Sequence, residues 1–263
     1  MGGDIVAARA GCPGGARRGT PLIVSHKHRY VFVELPRTGS TAVRHELREL
    51  YDGTPILHKH STYPEFLRQA SADERRYFVF SAVRNPLDDA VSRYFKLMTD
   101  HKQRFSDQET GQRRKHFVNS VLDERMYRYL ERTDADFSSF FLKFYRFPYD
   151  TWASLSHAKF DAVMRFEQLA DDFEAALVRT GIEPVRRLPV VNPTTSRSRN
   201  FAAYYTPAAR RRARRVMGPY MRRWGYDFPP DWELDAPSQA HQIQYSLFSA
   251  LARAYWVHVR PRL

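Results

Sequence analysis

Two short stretches constrain this chain more than anything else in it. The first runs Val31-Phe32-Val33-Glu34-Leu35-Pro36-Arg37-Thr38-Gly39-Ser40-Thr41 into Ala42-Val43-Arg44-His45-Glu46-Leu47. The second runs Phe78-Val79-Phe80-Ser81-Ala82-Val83-Arg84-Asn85-Pro86 into Leu87-Asp88-Asp89-Ala90-Val91-Ser92-Arg93-Tyr94. Each reads as a buried strand, a polar turn and the start of a helix. In that geometry backbone N–H groups at a helix N-terminus hold a phosphate. Two such turns, each with an arginine and hydroxyls, point to a ligand with two separated anionic groups.

Around them, strand and helix patterns alternate. Tyr30 to Leu35 and Tyr77 to Val83 read as buried parallel strands. Ile56 to Ser61 reads as a short strand ending in His58-Lys59-His60, and Phe160 to Phe166 as another. Helical spacing follows the first and second turns, with Pro86 at a helix N1 position. Thr206-Pro207 is an N-cap and N1 pair opening a helix to about Met217. The alternation predicts an α/β fold with a mainly parallel sheet. Ligands of such sheets sit at the carboxyl ends of the strands. Arg37, Arg84 and the two histidines all follow predicted strands and so converge on one crevice.

The 263 residues suit one elaborated domain. Residues 1–20 read as a flexible lead. Residues 21–228 read as the domain, with an aromatic-rich helical insertion at about 100–157. Residues 229–263 read as a proline linker and an amphipathic helix with Ile243, Leu247, Leu251 and Tyr255 on one face. That helix is expected to dock on its own domain, with a homodimer or membrane-surface contact as the minor reading.

The formal charge is +13, and only seven of the 42 basic residues are lysine. Arginine forks suit phosphate and sulfate better than lysine does. The excess fits an anionic cofactor, an anionic glycan, nucleic acid or a membrane surface, and a GC-rich genome would produce the same bias. The run Arg210-Arg211-Arg212 with Arg214-Arg215 reads first as a solvated helix face. Cys12 is the only cysteine, so an intrachain disulfide and a thiolate metal cluster are excluded. A signal peptide pattern and a spanning apolar run are both missing, so a bacterial-type cytoplasmic protein is the expectation.

The first turn lacks the G-x-x-x-x-G-K-[ST] spacing, which disfavours magnesium–ATP chemistry. Pro36-Arg37-Thr38-Gly39-Ser40-Thr41 resembles the 5′-phosphosulfate loop of sulfotransferases that use 3′-phosphoadenosine 5′-phosphosulfate (PAPS). Arg84-Asn85-Pro86, with Ser92 further along the helix, resembles their 3′-phosphate site. Arg165-Phe166-Glu167-Gln168-Leu169, Tyr204-Tyr205-Thr206-Pro207 and Gly225-Tyr226-Asp227-Phe228 are similar to later motifs of that family. The resemblance covers about residues 28–228 and is closest to the carbohydrate and heparan sulfate 2-O branch. Arg37 stands where many members have lysine, Asn85 where aspartate is common, and Asp89 where arginine is frequent.

The resemblance implies a P-loop-NTPase-like sheet and transfer of a sulfuryl group from PAPS to a hydroxyl of a glycan, glycolipid or small metabolite, with no metal required. It implies that the amides of Thr38, Gly39, Ser40 and Thr41 cradle the 5′-phosphate. Arg37 neutralises charge near the bridging oxygen, and the Ser40 and Thr41 hydroxyls add hydrogen bonds. Arg84 and Ser92 hold the 3′-phosphate, and Arg197 or Ser198 closes over it. His60 is the first candidate for the general base, because His58-Lys59-His60 resembles an H-x-H motif. His58 is its partner or substitute, a glutamate the remaining option. Glu34 reads as a structural partner for an arginine. A nucleotide-dependent kinase, a basic nucleic-acid-binding module and a non-catalytic nucleotide binder are the alternatives; no nucleic acid is expected on the main reading.

Overall fold

A computed structural model of the chain describes residues 22–57, 62–100, 105, 118–151, 159–189, 198 and 200–255. The expected lead at 1–20 and the histidine triplet at 58–60 lie outside these residues.

Five strands form one sheet: β1 (Leu22–Ser25), β2 (Tyr30–Val33), β3 (Thr54–Ile56), β4 (Phe78–Val83) and β5 (Ala162–Arg165). Their order is β3-β1-β2-β4-β5. The core is parallel, as expected: β2 pairs β4 with Val33 opposite Ser81, and β4 pairs β5 with Val83 opposite Arg165. The other edge differs. Strand β1 pairs antiparallel with both β2 and β3. Leu22–Ser25 adjoins the glycine- and arginine-rich lead, too short a run for periodicity to mark it. The third strand, Thr54–Ile56, meets the expected Ile56–Ser61 at Ile56, and residues 58–61 of that run lie outside the described residues.

Period-two alternation sorts the strand side chains onto two faces. Ile23, Phe32, Phe80, Ala82 and Met164 share a core with Val43 and Leu47 of α1 (Ser40–Leu50) and with Phe173 and Leu177 of α6 (Leu169–Arg179). Leu22, Val24, Val31, Val33 and Val79 face the other way, onto Tyr63 and Phe66 of α2 (Tyr63–Gln69).

The largest core joins α3 (Pro86–Met98) to the predicted insertion, which holds α4 (Val118–Thr133) and α5 (Phe137–Phe144). Here the aromatic residues are mostly core: Phe137 and Phe141 are buried against Tyr205, and Phe140 against Tyr94. Two helices follow, α7 (Pro207–Val216) and α8 (Gly218–Trp224).

The arginine-rich helix is not simply a solvated face. The Arg212 guanidinium donates to the carbonyls of Leu142 and Tyr145, both at 3.2 Å. Arg210 donates to Tyr205 O and lies over the Trp232 ring. Arg214 donates to Ala236 O. The planar five-donor fork lets these arginines tie a helix end and loops to the helix. Arg211 and Arg215 remain exposed.

The last helix, α9 (Gln239–Ala254), departs from expectation. It packs through Tyr245, which is buried, and turns Ile243, Leu247 and Leu251 outward. Its inner face is polar because Tyr245 and Ser249 find partners on the domain, Arg223 and Asp150. Among the described residues no helix is long and apolar enough to cross a membrane.

Candidate active site

The first turn begins where β2 ends. Arg37 (φ 68°) and Gly39 (φ 73°) both take left-handed backbone, and Gly39 caps α1. For Arg37 that conformation costs roughly 1–2 kcal/mol. The amides of Ser40 and Thr41 open the helix, where no intrahelical acceptor exists. The hydroxyls divide. Thr38 donates to Leu35 O at 3.1 Å, and Ser40 Oγ lies 2.5 Å from the same carbonyl and 3.2 Å from Glu34. Both serve the turn itself, while Thr41 is exposed. Of the expected side-chain donors on this loop, Ser40 is thus engaged inside the protein.

Glu34 is buried beneath the turn and pairs with Arg44 at 2.9 Å. Burial pushes its carboxyl up to about 7, and the Arg44 guanidinium and the Ser40 hydroxyl only partly offset this.

The second turn follows β4, the neighbour of β2, so the two turns stand side by side. Arg84 Nη1 donates to Arg37 O at 3.1 Å and links them. Asn85 caps α3 by accepting from Leu87 N at 2.9 Å, and Pro86 occupies the first helical position. Both turn arginines are held by carboxylates from the first turn of α3. Arg84 donates through Nε and Nη2 to Asp88 Oδ2 (2.9 and 2.5 Å). Arg37 Nη2 lies 3.1 Å from Asp89 Oδ2, which also accepts from the Tyr149 hydroxyl at 3.0 Å. Asp89 Oδ1 is buried with no partner among the described residues. Acidic side chains suit a helix N-terminus. Here they stand where an anionic ligand of these arginines would stand.

The remaining motifs close around the turns. Phe166 lies under Arg84, its ring 4.2 Å from the guanidinium carbon. Glu167 accepts from Asn85 N at 2.8 Å and from the Tyr226 hydroxyl at 2.9 Å. Arg165 lies over the Tyr226 ring and donates to Trp224 O. A Cβ on Gly39 would stand 2.5 Å from Leu169 Cδ2. Four motifs spread along the sequence thus meet at the carboxyl edge of the parallel strands.

The other predicted site residues are placed as follows. Ser92 lies on α3 with no exposed surface. Ser198 is exposed; its amide donates to the Tyr204 hydroxyl and its Oγ accepts from Asn200 N. His58, His60 and Arg197 lie outside the described residues. The residues the sequence did not single out are Asp88, Tyr149 and, in its role as partner of Arg37, Asp89. The arginine-to-aspartate departure at position 89 was the available signal. A cavity of about 630 Å³ lined by Asn200, Phe201, Arg210, Asp227 and Asp231, among others, contains no residue of either turn.

A family profile described as Sulfotransferase family matches residues 20–228. No curated protein and no solved structure matches the chain. The match spans the sheet, both turns and the Arg165–Leu169 and Gly225–Phe228 segments that pack against them, and on that ground the chain belongs to the sulfotransferase family.

Proposed function

We propose that this protein transfers a sulfuryl group from PAPS to a hydroxyl of a glycan, glycolipid or small-metabolite acceptor. One observation carries the reading beyond the family itself. Two arginine-bearing strand–turn–helix junctions lie on adjacent parallel strands, joined by the Arg84–Arg37 hydrogen bond and each neutralised by a carboxylate. Two such arginine sites suit one ligand with two anionic ends better than a single phosphate chain.

PAPS supplies an activated sulfuryl group on its 5′-phosphate and a 3′-phosphate for recognition. On this reading the amides of Thr38 to Thr41 hold the 5′ end. Arg37 leaves Asp89 and stabilises charge on the departing phosphate oxygen, which is where such a transfer gains most. Arg84, released from Asp88, takes the 3′-phosphate. Ser92 is assigned to the same phosphate, which requires the side chains covering it to part. Arg197 and Ser198 are assigned to close over it. His60 is assigned the acceptor's proton, with His58 as its partner.

The experiment is calorimetric titration with the desulfated product PAP, with ATP and ADP as controls. Micromolar PAP binding with ATP much weaker supports the reading, and Arg84→Ala should remove that preference. A folded protein that ignores PAP, or an Arg84→Ala variant that loses PAP and ATP equally, refutes the 3′-phosphate assignment. His60→Ala should cut turnover by orders of magnitude with PAP affinity intact. Near-normal turnover would transfer the role to His58 or a glutamate.

A further inference from the structure

Helix α9 is inverted for a surface helix. The face it turns to its own domain carries His241, Gln242, Tyr245 and Ser249. The face it turns away carries Ile243 (61% exposed), Leu247 (63%) and Leu251 (72%), continued by Tyr255 and flanked by Phe248. Their spacing of four places them in one row along the helix, about 18 Å long at 1.5 Å per residue. A helix that packs on a domain normally buries such a row. This one presents it.

Two properties decide what covers it. The first is size. A row of about 18 Å on a helix about 10 Å wide offers on the order of 200 Å², whereas a stable protein dimer needs about 800 Å² from each partner. The second is charge. Helix α9 has no acidic residue, and Arg253 is exposed near the end of the row. The two helices against which it packs, α7 and α8, carry Arg215 and Arg222, both exposed, while Arg223 and Arg214 are turned to Tyr245 and to Ala236 O. Among the described residues, Asp150 accepts from Ser249 and Asp235 lies 3.8 Å from Arg214. The chain as a whole is at +13. Facing a second copy, this surface would bring like charges together. An anionic bilayer meets both features at once, because its boundary accepts apolar side chains a few ångströms deep and its headgroups pair with arginine.

We infer that the outward face of α9 seats the protein on an anionic lipid surface. The helix lies in the interface, with Ile243, Leu247 and Leu251 entering the acyl boundary and Arg222 and Arg253 at headgroup level. The inference stands apart from the sulfuryl-transfer reading and does not require it.

The test is co-sedimentation of the full chain with vesicles of phosphatidylcholine alone and of phosphatidylcholine mixed with phosphatidylglycerol. Binding to the mixed vesicles only, lost in high salt, is expected. The double substitution Leu247→Gln and Leu251→Gln should weaken it about tenfold or more, equivalent to at least about 1.4 kcal/mol, and Arg222→Gln with Arg253→Gln should do so through charge alone. All four side chains are exposed, and circular dichroism with urea unfolding checks that the variants keep their fold. Absence of vesicle binding overturns the inference. So does equal binding to neutral vesicles, or a dimer by sedimentation equilibrium that the leucine substitutions dissolve while vesicles do not bind.

Discussion

Gly39→Ala tests whether the first phosphate-type turn is clamped by the Phe166–Leu169 segment. Two terms add. The backbone at Gly39 is left-handed, φ 73°, which costs an alanine about 1 kcal/mol. The new Cβ would also stand 2.5 Å from Leu169 Cδ2 and 3.2 and 3.3 Å from the Phe166 ring. Phe166 cannot retreat freely, because the Arg84 guanidinium lies over it. Overpacking of this kind costs roughly 1–3 kcal/mol, so the total is about 2–4 kcal/mol. Gly181 supplies the control. It has nearly the same φ, 75°, yet a methyl group added there would meet nothing within 4 Å, so Gly181→Ala isolates the backbone term. Urea unfolding of both variants, with PAP titration below the transition, measures the difference. Gly39→Ala should lose about 1–3 kcal/mol more than Gly181→Ala, and it alone should weaken PAP. Equal losses with unchanged PAP affinity would refute the clamp.

Asp89→Asn removes the carboxylate that competes with an anion for Arg37, so PAP affinity should rise about tenfold, in the range of one strong charge pair; calorimetry showing weaker or unchanged binding would count against the exchange. Glu34 has a folded-state carboxyl pushed up to about 7 from an ordinary 4.5. The folded chain therefore holds this proton longer than the unfolded chain, and Glu34 loses stabilising effect as pH rises from about 4.5 to about 7. The stability of Glu34→Gln relative to the parent should climb across that window by about 3 kcal/mol at most, and a pH-independent difference in urea titrations would exclude the assignment. Tyr226→Phe deprives Glu167 of one of the two hydrogen-bond donors it has among the described residues. It should cost about 1.5–3 kcal/mol by thermal unfolding, and a neutral result would mean that Glu167 is satisfied without it.

Chain order alone carried a good part of the site. Strand-forming runs ending in Pro36-Arg37-Thr38-Gly39 and Arg84-Asn85-Pro86 are local signals, because strand propensity, turn residues and helix caps act over a few residues. The helix opened by Thr206-Pro207 was legible for the same reason, and it ends at Val216, one residue short of the expected Met217. The parallel pairing of β2, β4 and β5 follows from the alternation of strands with helices. The antiparallel edge was not legible, because Leu22–Ser25 is four residues long and only its partners β2 and β3 make it a strand.

Tertiary structure decided what local pattern could not address. The α9 periodicity marks an apolar stripe but is silent on which way it faces. That is set by Tyr245 and Ser249 finding Arg223 and Asp150 on the far side of a fold assembled from distant segments. The arginine run likewise reads as surface until Leu142 and Tyr145 present their carbonyls to Arg212. Most of all, the sequence places Asp88 and Asp89 in a helix start, whereas the fold sets them against Arg84 and Arg37. Residues 37 and 89 become partners because β2 and β4 are neighbours in the sheet, a relation that hydrogen bonding between strands creates and no single segment encodes.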